Sequence, residues 1–227
     1  MFRSLFILAA ASFLGVAVEA QTPRLVRAVG EAVISVKPDL ARLSVGVVTQ
    51  ANTAREAGAQ NAAQMEAVLG GLRQVLGSAA DIHTTSYSLT PNYKYSQTAP
   101  PVLVGYTANN NLEVNISDLS LIGSTIDAAS DAGANNVGGL LFTISDQEPL
   151  RRQVLGMAAK QGRAHAEAIA AGLGARIGSV FAASEATSFS PGPAPSEAPG
   201  RSVTPTPIET GLVQVRATVT IDAELLQ

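Results

Sequence analysis

The chain of 227 residues has no cysteine and no tryptophan, and aromatic residues make up only 4% of it. Without cysteine there is no disulfide framework, no thiol nucleophile, no cysteine-bearing zinc site and no lipid-anchored N-terminal cysteine. With so few rings, the core has to be built from Val, Leu, Ile and Ala. Basic runs are missing too, and the net charge is −3. That excludes a general nucleic-acid binder, which works by displacing counterions along a phosphate backbone. Beyond the N-terminal segment no stretch is apolar for long enough to span a bilayer.

What is present fits a folded protein. Hydrophobic residues make up 46% of the chain, too many for a disordered one, and its length allows a substantial core. At the N-terminus, Arg3 precedes an apolar run from Leu5 to Val18. Val18-Glu19-Ala20 then places small residues at positions −3 and −1 of a cut after Ala20. This pattern predicts a secretory signal peptide over 1–20 and a single domain over 21–227. A cysteine-free exported chain points to a bacterial periplasm rather than to a disulfide-stapled secreted domain.

Periodicity gives the element order. Val26, Ala28, Ala32, Ile34 and Val36 alternate on one strand, and Ala41, Leu43, Val45 and Val47 on a second. With the turn Lys37-Pro38-Asp39 between them they read as a hairpin. Thr53 and Glu56 form a capping box for a helix bearing Met65, Val68, Leu69, Leu72, Val75 and Leu76, which Gly77 stops. Ile82–Tyr95 and Val102–Ile116 read as a second strand pair. Asp118 caps a short helix with Leu119, Ile122, Ile126 and Ala129 on one side, and a strand runs from Val137 to Ser145. Pro149 opens a long helix with Leu150, Val154, Met157, Ala158, His165, Ala168 and Ile169 along one face. Ile177–Ser184 and Val213–Ile221 are further strands. The order β-β-α-β-β-α-β-α-β-β predicts an α+β fold, with largely antiparallel sheet, about three helices and a possible β-β-α repeat. Six of the 12 prolines fall at 191, 193, 195, 199, 205 and 207, so 188–210 reads as a loop or linker from which the last strand returns to the same sheet.

The stretch "DAGANNVGGLLFTISD" (131–146) raises the question of a glycine-rich ligand cradle. Phosphate cradles follow a strand and open a helix. Here a helix closes at Gly133 and a strand opens at Val137. The glycines and asparagines therefore read as a helix cap, a turn and a strand bulge. The two histidines, His83 and His165, lack the spacing of a metal site. No serine lies in a nucleophile elbow. The acidic pairs Asp118/Asp127 and Asp146/Glu148 read as capping and solvation, and Arg151, Arg152, Lys160 and Arg163 as a solvated helix face. Three of the four tyrosines cluster in "YKYSQTAPPVLVGY" (93–106), and Tyr87, Tyr93, Tyr95 and Tyr106 are the candidate interface or binding residues.

Four segments, "VRAVGEAVISVKPDLARLSVGV" (26–47), "DIHTTSYSLTPNYKY" (81–95), "GYTANNNLEVNISDLSLIGSTIDAASDAGANNVGGLLFTISD" (105–146) and "AAKQGRAHAEAIAAGLGARIGSVFAASE" (158–185), resemble the SIMPL-domain family (DUF541) in the same order. That family includes immunogenic periplasmic proteins of Gram-negative bacteria. The resemblance implies an exported periplasmic α+β protein without known enzymatic activity or cofactor. It also implies self-assembly into ring or channel-like homo-oligomers and a loose tie to envelope and oxidative stress. It supplies no catalytic residue.

Three functions are therefore expected to compete. The first is a non-enzymatic assembly module, with no nucleic acid partner and no integral membrane segment once the signal is removed. The second is a small-molecule or peptide binder with a groove near Tyr87, Tyr93, Tyr95 and Tyr106. The third is a hydrolase whose His83 or His165 meets a serine and a carboxylate in space.

Overall fold

The computed structural model describes residues 24–192 and 206–227. The signal peptide read at 1–20 and the middle of the 188–210 segment lie outside the described residues. The described residues form strands β1 (Leu25–Val36) and β2 (Leu40–Ala51), helix α1 (Ala54–Leu76), strands β3 (Asp81–Lys94) and β4 (Val102–Ile116), helix α2 (Ile122–Asp131), strand β5 (Asn136–Thr143), helix α3 (Glu148–Gly172) and strands β6 (Arg176–Pro191) and β7 (Val213–Leu226). A 3-10 turn at Leu119–Leu121 leads into α2. The fold is α+β, as the pattern of strands and helices predicts.

The strands form two antiparallel sheets, ordered β1-β7-β6 and β3-β4-β2-β5. Each sheet has its own apolar cluster. Leu43, Val45 and Val47 of β2 and Leu112, Val114 and Ile116 of β4 pack against Met65, Val68 and Leu72 of α1 and Ile122 of α2. Val26 and Ala28 of β1 and Val215, Ala217, Val219 and Ile221 of β7 pack against Val154, Ala158 and Ala166 of α3. Asn61 is the large polar side chain of α1 that is fully buried; its amide donates to Val47 O at 2.8 Å and Ala108 O at 3.3 Å, tying the helix to two strands.

The expected hairpin of β1 and β2 does not form. β1 pairs with β7, with Leu25 opposite Glu224, while β2 pairs with β4 and β5. Asp39 explains the parting. Its carboxylate accepts from the backbone N–H of Ser145 at 2.7 Å and from its hydroxyl at 2.8 Å, and its own N–H donates to Thr143 O at 3.2 Å. The turn is thus pinned to the end of β5, and the two strands complete different cores.

The face of α3 also differs from the expected stripe. Its buried positions are Val154, Ala158, Gly162, Ala166 and Ala170, each four residues from the next, whereas Met157, His165 and Ile169 are exposed. Small residues win because the helix lies on the sheet backbone: a Cβ on Gly30 would overlap Ala158 O and Gly162 N. The loop expected to start at 188 starts later, because Ser188–Pro191 belong to β6. β6 runs on to Pro191, and Thr206 bonds Asp127 of α2 through its hydroxyl at 2.7 Å, with Ile208 packed against the α1 and α2 core. β7 does return to the same sheet as β6, between β6 and β1.

The glycine-rich stretch serves structure, as its direction along the chain suggests. Gly133 takes φ 103° after α2, and Gly139 takes φ 62° where the β2–β5 register shifts between Arg42 and Ser44. Asn135 lies between them. Its side-chain amide accepts from Val48 N at 2.8 Å and donates to Val48 O at 2.7 Å, filling the strand-partner role just before β5 begins.

Candidate interaction surface

β3 and β4 pair along their whole length, from Asp81 opposite Asn115 to Lys94 opposite Val102. β2 stops at Ala51, opposite Tyr106, so the last residues of this ribbon run on without a third strand. Pro91 is tolerated in β3 because an edge strand leaves half its N–H groups unpaired. Gly105 allows the ribbon to pass over the end of β2: it takes φ 152°, and a Cβ there would lie 2.8 Å from Ala51 O. The result is a two-stranded arm whose apolar side chains face water. Tyr95 is 76% exposed, Val102 59%, Val104 55% and Tyr93 46%. Val102 and Val104 lie beyond Tyr106, where the pairing of β4 with β2 ends.

The register places the tyrosines of β3 and β4. Tyr106 shares the parity of the buried Ala108, Leu112, Val114 and Ile116, so it lies on the helix-covered face. Tyr87 pairs with Asn110 on the same face, and its hydroxyl is 3.5 Å from where a Cβ on Gly58 of α1 would sit. A register shift then leaves Val104 of β4 as the extra residue between Asn92↔Gly105 and Tyr93↔Leu103, so the alternation of β3 runs on unbroken to Tyr93. Tyr93 and Tyr95 are neighbours, with ring centroids 6.4 Å apart. Tyr93 and Tyr95 thus form a pair near the tip of the arm. Tyr106 alone of the four lines the cleft at the base of the arm, with Gln50, Asn52, Asn92 and Val104, and that cleft has a volume of about 220 Å³.

The histidines lie on different sheets and do not meet. His83 of β3 has Nε2 3.3 Å from Glu113 Oε1 and Nδ1 3.8 Å from Asp81 Oδ1. His165 of α3 holds Val29 O at 2.7 Å through Nδ1. Neither bonds a serine among the described residues. Asp118 caps the 3-10 turn through Ser120, whose hydroxyl and N–H hold its carboxyl below the usual carboxylate range. No helix among the described residues is long and apolar enough to cross a membrane.

Sequence reasoning singled out the tyrosines and read Asn135 as a turn residue, but it did not foresee that Gln161, His165 and Asn135 bond strand backbone. The one available signal was the spacing of Gln161 and His165, four residues apart beside the small-residue stripe of α3.

The chain is 28% identical over 161 residues to the 26 kDa periplasmic immunogenic proteins of Brucella melitensis and Brucella abortus, a match covering 67% of this chain and 64% of each relative. It is 26% identical over 155 residues to the uncharacterized protein YggE of Escherichia coli K12, covering 67% of this chain and 61% of the relative. The chain thus spans just under two thirds of the length of these relatives. The family model SIMPL, described as a protein of unknown function (DUF541), matches residues 26–223. With the match running from the second residue of β1 into the last turns of β7, the chain belongs to the SIMPL (DUF541) family.

Proposed function

We propose that the chain is a non-enzymatic periplasmic protein that associates with copies of itself through the β3–β4 arm. One observation carries this reading: the arm holds Tyr93, Tyr95, Val102 and Val104 exposed on a ribbon of only two strands. Such a ribbon is marginal in water by itself, and contiguous exposed apolar surface marks a contact site. The periplasmic location is supported by the names of the Brucella relatives and by the N-terminal apolar run from Leu5 to Val18.

The alternative, a small-molecule or peptide binder, has weaker support. The cleft beside Tyr106, about 220 Å³, is below the roughly 300–1,000 Å³ of ordinary ligand pockets. The hydrolase reading gains no support from the partners of His83 and His165. The tie to envelope and oxidative stress is tested by the peroxide sensitivity of a strain lacking the protein.

Sedimentation velocity on protein purified from periplasmic extract tests the assembly. A multimer that dissociates in Tyr95→Ser/Val102→Lys, with circular dichroism unchanged, is expected. A strict monomer at high micromolar concentration overturns the proposal. N-terminal sequencing of the same material, expected to begin at Gln21, checks the cut after Ala20.

A further inference from the structure

We infer that Gln161 and His165 of α3 guard the outer edge of β1 against a strand from a second copy of this chain, leaving β6 as the edge of that sheet open to strand addition. A sheet edge presents unpaired N–H and C=O groups and templates another strand unless something covers them. In the β1-β7-β6 sheet the two edges are β1 and β6. Val29 and Glu31 of β1 are two residues apart, so their backbone groups turn to the same side. Glu31 N donates to Gln161 Oε1 at 2.6 Å. Val29 O accepts from His165 Nδ1 at 2.7 Å, and since a carbonyl only accepts, Nδ1 carries the proton. These are the acceptor and the donor that a neighbouring strand would bring to the same two groups.

Gln161 and His165 are one turn apart and so share a flank of α3. They reach the strand because Gly30 and Gly162 let the helix lie on the β1 backbone. A side chain at either glycine would lift the helix and draw both polar ends away. The same device occurs in the other sheet, where the Asn135 amide takes both backbone groups of Val48. β6 has no such cover. From Ala182 to Pro191 it pairs with β7 in unbroken register, and no side chain among the described residues bonds its backbone. Two register shifts between Ile177 and Ala182 blunt only its first part. This inference does not depend on the arm, and failure of arm-mediated assembly leaves it standing.

The test is the double variant Gln161→Leu/His165→Leu, which keeps bulk and helix propensity and removes both hydrogen bonds. By sedimentation velocity, the full chain carrying it should associate at a concentration at least about tenfold lower than the wild type, with helix and strand content unchanged. Adding Glu31→Pro, which deletes the edge N–H, should restore wild-type behaviour. A folded double variant that associates as the wild type does, or a gain that survives Glu31→Pro, overturns the inference. Should the double variant fail to fold, hydrogen exchange on the wild type decides. The Glu31 amide should be protected at every protein concentration, while β6 edge amides become protected only as concentration rises. Exchange of Glu31 at the rate of a free amide overturns it.

Discussion

Gly162 of α3 rests directly on Gly30 of β1, so close that a Cβ on Gly30 would stand 2.8 Å from the Gly162 Cα. Glycine is required here for space, not for backbone angle. Gly30→Ala should cost about 1–3 kcal/mol or more by overpacking. In a domain of this size that is a fall of several degrees in Tm. Gly70→Ala, where no atom lies within 4 Å of the added carbon, is the control. On an exposed helix position it should be neutral or stabilising by up to roughly 1 kcal/mol. Thermal melts of the two variants check both directions.

Asp39 holds the β1–β2 turn against Ser145 through two hydrogen bonds. Asp39→Ala should cost about 1–3 kcal/mol, because the Ser145 N–H loses a charged acceptor. Asp39→Asn should recover part of it, since an amide oxygen still accepts one bond. Urea midpoints at constant m-value measure the difference.

Arg27 and Asp222 meet on the open face of the β1-β7-β6 sheet through two bonds, at 2.6 and 2.7 Å. The bond from Arg27 is the main cause holding the Asp222 carboxyl below its ordinary value, opposed by partial burial. A carboxyl depressed in the folded state stabilises above its unfolded pKa of about 3.9. That contribution is lost as pH falls through the folded value. The stability gap between wild type and Asp222→Asn should therefore be full at neutral pH and close as the pH falls below about 4. Chemical denaturation across that range tests it; a gap that widens in acid contradicts the assignment.

Asn135 spans both backbone groups of Val48. Asn135→Ala should lose about 1–2 kcal/mol, from two hydrogen bonds of modest net worth. The Val48 amide should then exchange faster, which hydrogen-exchange mass spectrometry reads directly.

Most of the fold was legible in the sequence, and its failures have a common cause. Alternation in 26–36 and 41–47 correctly announced two strands and their inward faces, because the side-chain period reports burial. It says nothing of partners. The partner of Leu25 is Glu224, and no local signal carries information over that separation. The stripe of α3 was misread for a related reason. Met157 and Ile169 are the large apolar residues, but the sheet approaches where Ala158, Gly162 and Ala166 leave room, so volume overrode hydrophobicity. Gly133, Gly139 and Asn135 were readable because turn and bulge chemistry is local. The tyrosines were readable as a cluster in sequence, but their register was not. The extra residue that shifts the register there is Val104 of β4, and nothing in "PPVLVGY" shows where such a shift falls.

The central strand of the β1-β7-β6 sheet is also the last of the seven described strands to be synthesised. While the chain emerges, β1 waits without its partner strand until Val213–Leu226 arrives, although the β3-β4-β2-β5 half already has every strand it needs. Maturation is therefore divided in time: one half can settle early, and the other stays vulnerable to proteases and premature contacts until β7 has arrived. Loss of the final strand would accordingly leave the earlier half folded and dismantle the other.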